Sequence, residues 1–192
     1  MPRKITTRGR LGSDIYAKAH LLPDEDPKAF LALRDGLFEE LEPRTALERI
    51  LAQNIVDIVW EIERHRRLLA ATLKTAFFEQ AEGVYVDGKP GKPSAVFYTS
   101  DSRGRFIDQL RSTDDGKRAK AEEILESKGV TKAEISAAAF ISRESPVAYH
   151  EQRIADLERR RRHLMNEYEL LQAKRKAREP VSIVPLAQIA SG

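Results

Sequence analysis

Two long stretches of this sequence place mostly apolar residues at three- or four-residue steps, and the sequence between them is broken and polar. The first stretch runs through Leu47, Leu51, Ile55, Ile58, Ile62, His65, Leu69, Leu73 and Phe77. The second runs through Ile154, Leu157, Arg161, Leu164, Tyr168 and Leu171. Such spacing lines one face of an α-helix, and a stripe no wider than this is the seam of a two-helix pairing. In the first half of the first stretch Ile50, Val56, Val59 and Trp60 widen the stripe. A wide face needs more than one neighbour, so this half is expected to be the better-buried end. The pattern predicts an all-α protein built on a long antiparallel helical hairpin, coiled-coil-like, with a short N-terminal helix and a small helical insertion.

Local signals set the boundaries. Residues 1–21 lack helical periodicity and read as a flexible basic arm. A single helical domain is expected over 22–179. Its first helix opens at Asp26-Pro27, a capping acid followed by a proline whose missing N–H costs nothing at that position. It should stop before Pro43. Thr45-Ala46-Leu47-Glu48 is a capping box that starts the first long helix, about 45–82, with Gly83 as its expected end. Residues 83–144 form an insertion, irregular at first. Val84-Tyr85-Val86 and Ala95-Val96-Phe97-Tyr98 are β-prone but too short to stand alone as a hairpin. Helical pieces follow around Phe106, Ile107 and Leu110, over 114–128 up to Gly129, and from a second capping box at Thr131 to Glu134. The last long helix, about 146–178, begins at Ser145-Pro146. Residues 180–192 are an apolar, proline-punctuated tail.

Composition excludes several functions. There is no cysteine among the 192 residues, which removes disulfides, thiolate metal sites and cysteine nucleophiles and fits a reducing cytoplasm. No apolar run approaches the length needed to span a bilayer. Charged residues make up 33% and aromatics 7% of the chain, a balance closer to extended helices than to a sheet protein. The net charge of +3 is unevenly spread. Residues 1–22 carry five Lys or Arg against one acid, residues 143–178 carry ten against six, and the middle is net acidic. Basic ends around an acidic centre suit electrostatic self-assembly or arms that reach for phosphate.

No residue constellation calls for a catalytic, cofactor or metal site. Gly-x-Ser-x-Gly and the full phosphate-binding Gly-x-x-x-x-Gly-Lys-Ser/Thr loop are both missing. The prolines in Gly88-Lys89-Pro90-Gly91-Lys92 remove donors that a phosphate cradle needs. Residues 119–141 have the outline of a helix-turn-helix. Its second helix offers little beyond Lys132 and Ser136 to read bases, so a simple helical hairpin is preferred. Antiparallel pairing would bring His65 and His150 together, but a bundle metal site needs repeated Glu-x-x-His spacing, so the pair reads as a seam contact. The same pairing sets Asp57, Glu61 and Glu63 near the run Arg159 to Arg162, an intrachain role for those arginines. That leaves Arg3, Lys4, Arg8 and Arg10 in the arm and Lys174, Arg175, Lys176 and Arg178 beyond the seam as candidate nucleic-acid contacts. Val181, Ile183, Val184, Leu186 and Ile189 in the tail are candidate docking residues for a partner.

Three motifs carry a resemblance. They are Leu22-Pro23-Asp24-Glu25-Asp26-Pro27, Pro43-Arg44-Thr45-Ala46-Leu47-Glu48 with the later Trp60, and Leu157-Glu158-Arg159-Arg160. On these the chain resembles, over roughly residues 20–175, a group of bacterial helical proteins without a known activity. The resemblance implies a helical fold and transfers no functional residue.

The expectation is a non-catalytic, cytoplasmic assembly or adaptor protein that associates with itself or with another protein. No membrane, cofactor or small-molecule substrate is implied. The alternative is a nucleic-acid-binding accessory protein of a phage or mobile element, similar to a small packaging subunit, using the basic arm and the basic end of the last helix.

Overall fold

The computed structural model describes residues 21–92 and 100–178. The described residues form six helices and no strand: α1 (Pro27–Leu41), α2 (Ala46–Asp87), α3 (Ser100–Arg111), α4 (Asp115–Ser127), α5 (Lys132–Ser142) and α6 (Glu144–Arg178). The protein is all-α, and α2 packs against α6. Two compact units share these helices. One holds the described residues up to Glu61 and from Leu157 on; the other holds Ile62–Asp156. No helix is long and apolar enough to cross a membrane, among the described residues.

In the first unit the expected start signals are all present. The Asp26 side chain accepts from the Lys28 N–H and Pro27 opens α1. At the start of α2 the Thr45 hydroxyl accepts from the Glu48 N–H at 3.1 Å, and Glu48 accepts from the Thr45 N–H at 3.0 Å. α1 ends through Glu42, which takes a left-handed conformation (φ 49°) ahead of Pro43. The widened stripe has two neighbours, as its width requires. Val56 and Trp60 pack with Phe30 of α1, Trp60 meeting Phe30 edge-on at 5.4 Å. Ala52 and Ile55, with Leu51 and Val59, pack with Tyr168, Leu164 and Met165 of α6. The helices run antiparallel here, since Glu48 meets Arg175 while Leu51 and Ile55 meet Tyr168. The carboxylate of Glu25, itself buried, accepts from Trp60 Nε1 at 3.0 Å and from the Leu22 N–H at 2.9 Å. It thereby ties the segment before α1 to the core.

In the second unit the core gathers Ala81 and Val84 of α2 with Phe106, Leu110, Ala121, Leu125 and Ile135 from α3, α4 and α5. Here α2 departs from the sequence expectation. It does not stop at Gly83 but runs to Asp87, so Val84-Tyr85-Val86 is helical. Packing overrides the β-propensity of these residues. Val84 is fully buried and Tyr85 stacks on Phe106 at 4.4 Å. Gly83 serves close approach, not termination, because a Cβ there would run into the Gly91 carbonyl. The stop belongs to Gly88 (φ 70°), whose N–H closes on the Val84 carbonyl at 2.9 Å. The Asp114 cap, the Gly129 turn (φ 73°) and the Thr131–Glu134 capping box are as expected. Antiparallel order holds in this unit too: His65 meets His150, and Glu79, further along α2, meets Arg143 just before α6.

Candidate functional site

A dense polar arrangement lies in the first unit, where the turn between α1 and α2 meets the last turns of α6. Pro43 forces the chain out of α1, which leaves the Leu41 carbonyl without a helical partner. Two α6 side chains one turn apart satisfy it. The Tyr168 hydroxyl donates to Leu41 O at 2.9 Å and Gln172 Nε2 donates to it at 2.7 Å. A further turn along, Arg175 Nη1 donates to Glu48 Oε2 at 2.7 Å. The same oxygen accepts the N–H groups of Arg44 and Thr45. Glu48 is therefore both a capping residue and half of an ion pair, and its side chain is fully buried (0% exposed).

Electrostatics in this corner are high-stakes. Burial by itself pushes the Glu48 carboxyl upward. The donated N–H groups of Thr45 and Arg44, with the charges of Arg175 and Arg44, outweigh it and hold the group below the ordinary glutamate value. Its second oxygen, Oε1, is buried without a hydrogen-bond partner. Desolvation also raises the Tyr168 hydroxyl above its ordinary range, so it stays a proton donor to Leu41. Beside the network is an open groove of about 450 Å³ lined by Glu40, Leu41, Glu42, Arg44, Gln172, Arg175 and Lys176. Its lining combines guanidinium, ammonium and carboxylate groups, which bind ions and polar ligands.

The residues singled out from the sequence divide three ways. Arg3, Lys4, Arg8 and Arg10 lie outside the described residues, as do Val181, Ile183, Val184, Leu186, Ile189 and the β-prone piece Ala95 to Tyr98. Lys174, Lys176 and Arg178 are exposed on the last turns of α6. Arg175 differs from them: its side chain is only 15% exposed and is engaged with Glu48. The seam does not end at Leu171. Tyr168, Gln172 and Arg175 continue it at steps of four and three with polar side chains. That continued spacing is the signal by which the sequence could have revealed the site. Arg161, expected on the seam, pairs with Glu158 of its own helix at 2.7 Å.

The other expected meeting, His65 with His150, is present in the second unit at 2.9 Å between Nδ1 atoms. Among the described residues, no group of three or more His, Cys, Asp or Glu converges as a metal site. Comparison with models of protein families, with curated proteins and with solved structures finds no match to this chain.

Proposed function

We propose that this is a non-catalytic helical assembly protein of the cytoplasm that works by associating with itself and with other proteins. The observation that carries the reading is the set of large apolar side chains left in water. In the first unit Leu47 and Ile50, one turn apart on α2, are 54% and 58% exposed, and Leu170 is 62% exposed. In the second unit Phe140 and Ile141 at the end of α5 are 46% and 73% exposed. Neighbouring pairs of this kind are better suited to protein contact than to water. Mass photometry and light scattering at tens of micromolar test the reading. Dimers or higher species, reduced by Leu47→Lys with Ile50→Lys or by Phe140→Lys with Ile141→Lys, support it. A strict monomer overturns self-association.

A second reading, nucleic-acid binding, is favoured by the exposure of Lys174, Lys176 and Arg178 together on the end of α6. Phosphate contacts are strongest at low salt. A gel shift at low salt that weakens as salt rises, and weakens further when these three become Gln, supports that reading. No retardation at low salt eliminates it.

A further inference from the structure

In a chain of which 33% is charged, α5 is an exception. Its two charged residues, Lys132 and Glu134, both lie in the first turn, and the rest of the helix carries none. Both are engaged at the side of the helix: Glu134 closes the Thr131 capping box and Lys132 pairs with Glu122 of α4 at 2.7 Å. One face, with Ile135 and Ala139, is buried in the unit of residues 62–156. The opposite face runs through Ala133, Ser136, Ala137, Phe140 and Ile141, all exposed. These positions follow one another at the steps that line one side of a helix. An uncharged stripe ending in two large apolar side chains is left facing water.

The stripe is graded, small at its start and large at its end. A face of that shape complements its own reversed copy, because a twofold axis sets each large end on the other's small end. In an antiparallel pair Phe140 of one copy packs on Ala137 of the other and Ile141 on Ser136, and both contacts recur across the axis. Alanine near the axis lets the two helices approach to about 8 Å. The ends also match in charge. The carbonyl end of α5, with the exposed Glu144 that follows it, comes against the amide end of the copy and its partly exposed Lys132. A parallel pair would instead set like ends together and leave the alanines facing empty space.

We propose that α5 is the surface through which two copies of this chain associate, as an antiparallel α5–α5 contact about a twofold axis. The proposal rests on the self-association argued above and gives it one surface and one orientation. A pair of helices 11 residues long buries less than the ~1,200 Å² of a stable complex. The dimer is therefore weak, with a Kd on the order of tens of micromolar.

The chain contains no cysteine, so single cysteines report the geometry directly. Treated with a short bismaleimide, the full-length Ala137→Cys variant should link to its twin. Ala133→Cys, equally exposed but far from the axis, should not; a parallel pair would link both. In sedimentation over a range spanning tens of micromolar, Phe140→Lys with Ile141→Lys should weaken the dimer at least tenfold. Ala137→Glu should do the same, and Leu47→Lys with Ile50→Lys should leave it unchanged. Circular dichroism checks the fold of each variant; if a charged variant does not fold, the cross-linking pattern decides. A dimer that survives the α5 substitutions and is lost in Leu47→Lys with Ile50→Lys overturns this inference while self-association stands. Linking of Ala133→Cys as strong as that of Ala137→Cys overturns the antiparallel arrangement. A chain that stays monomeric, with no cross-link at either position, overturns both and leaves the face to a different protein.

Discussion

Each unit carries a Glu–Arg bridge from α2 to a residue near or on α6, and these two bridges sit in opposite surroundings. In the first unit Glu48 is fully buried and Arg175 is 15% exposed. In the second, Glu79 and Arg143 are 38% and 32% exposed at a similar separation of 2.6 Å. Distance is thus the same and solvent is not. An exposed pair exchanges hydration for contact at nearly equal free energy, whereas a buried pair makes each partner depend on the other. The cores differ in a parallel way. The first is filled by Phe30, Trp60 and Tyr168, with polar atoms brought inside and bonded. The second brings small residues, Ala81 and Ala121, against Phe106 and lets backbone approach backbone at Gly83. The first unit therefore depends on paired polar groups, and the second on close fit.

Breaking the buried bridge should give the largest effect. Arg175→Met leaves the Glu48 carboxylate buried beside an apolar stem, and a loss of about 3–5 kcal/mol is expected in urea denaturation. Arg175→Met combined with Glu48→Gln should recover part of that loss, because the stranded charge is gone while the cap keeps an oxygen. The pH dependence follows the same carboxyl. Its folded-state value lies below the ordinary 4.5, so the unfolded chain takes up the proton first. The stabilisation is complete above 4.5 and disappears as pH falls through the lower folded value. Glu48→Gln should flatten that part of an acid titration followed by circular dichroism. An unchanged acid limb would show that other carboxylates set it.

The close fit of the second unit is tested at Gly83. Ala normally stabilises a helix interior by about 1 kcal/mol relative to Gly. Here the added methyl meets the Gly91 backbone, which cannot rotate away as a side chain could. Gly83→Ala is expected to cost about 1–3 kcal/mol net. Gly104 in α3 has nothing within 4 Å of an added Cβ, so Gly104→Ala should stabilise by about 0.5–1 kcal/mol. Equal and positive effects at both glycines would remove the argument from packing. In the first unit, Tyr168→Phe deletes one donor to Leu41 O while Gln172 retains the other. A loss of about 1 kcal/mol is expected in the same denaturation assay.

What was readable in the sequence, and what was not, follows the range of each interaction. The Asp26-Pro27 opening, both capping boxes and the Gly129 turn depend on residues within four positions of one another, and each is found where the local pattern puts it. The antiparallel meeting of His65 with His150 was readable because a 3–4 stripe carries register over many turns. The helical state of Val84 to Val86 was not, since it is decided by packing against Phe106 and its core neighbours, remote in sequence, over a local preference for strand. Arg175 was misleading for a related reason. Among Lys174, Lys176 and Arg178 it looks like one more solvated cation, and only the four–three spacing from Tyr168 through Gln172 marks it as the residue that turns inward.

The smallest expected effect is the one that most sharpens the contrast. Arg143 Nη2 lies 2.6 Å from Glu79 Oε2, shorter than the 2.7 Å bridge of Arg175, so an account based on distance alone ranks it at least as important. Solvent reaches both partners, and each recovers hydration when the other is removed. Arg143→Met should therefore cost only about 0–1 kcal/mol, and raising salt should remove most of that same contribution from the intact pair. A double-mutant cycle with Glu79→Gln isolates the pair from the packing of the arginine stem. A coupling energy near that of Glu48 with Arg175 would mean that the position of the charges along α2, and not their burial, governs both bridges. A coupling near zero places the whole difference in desolvation.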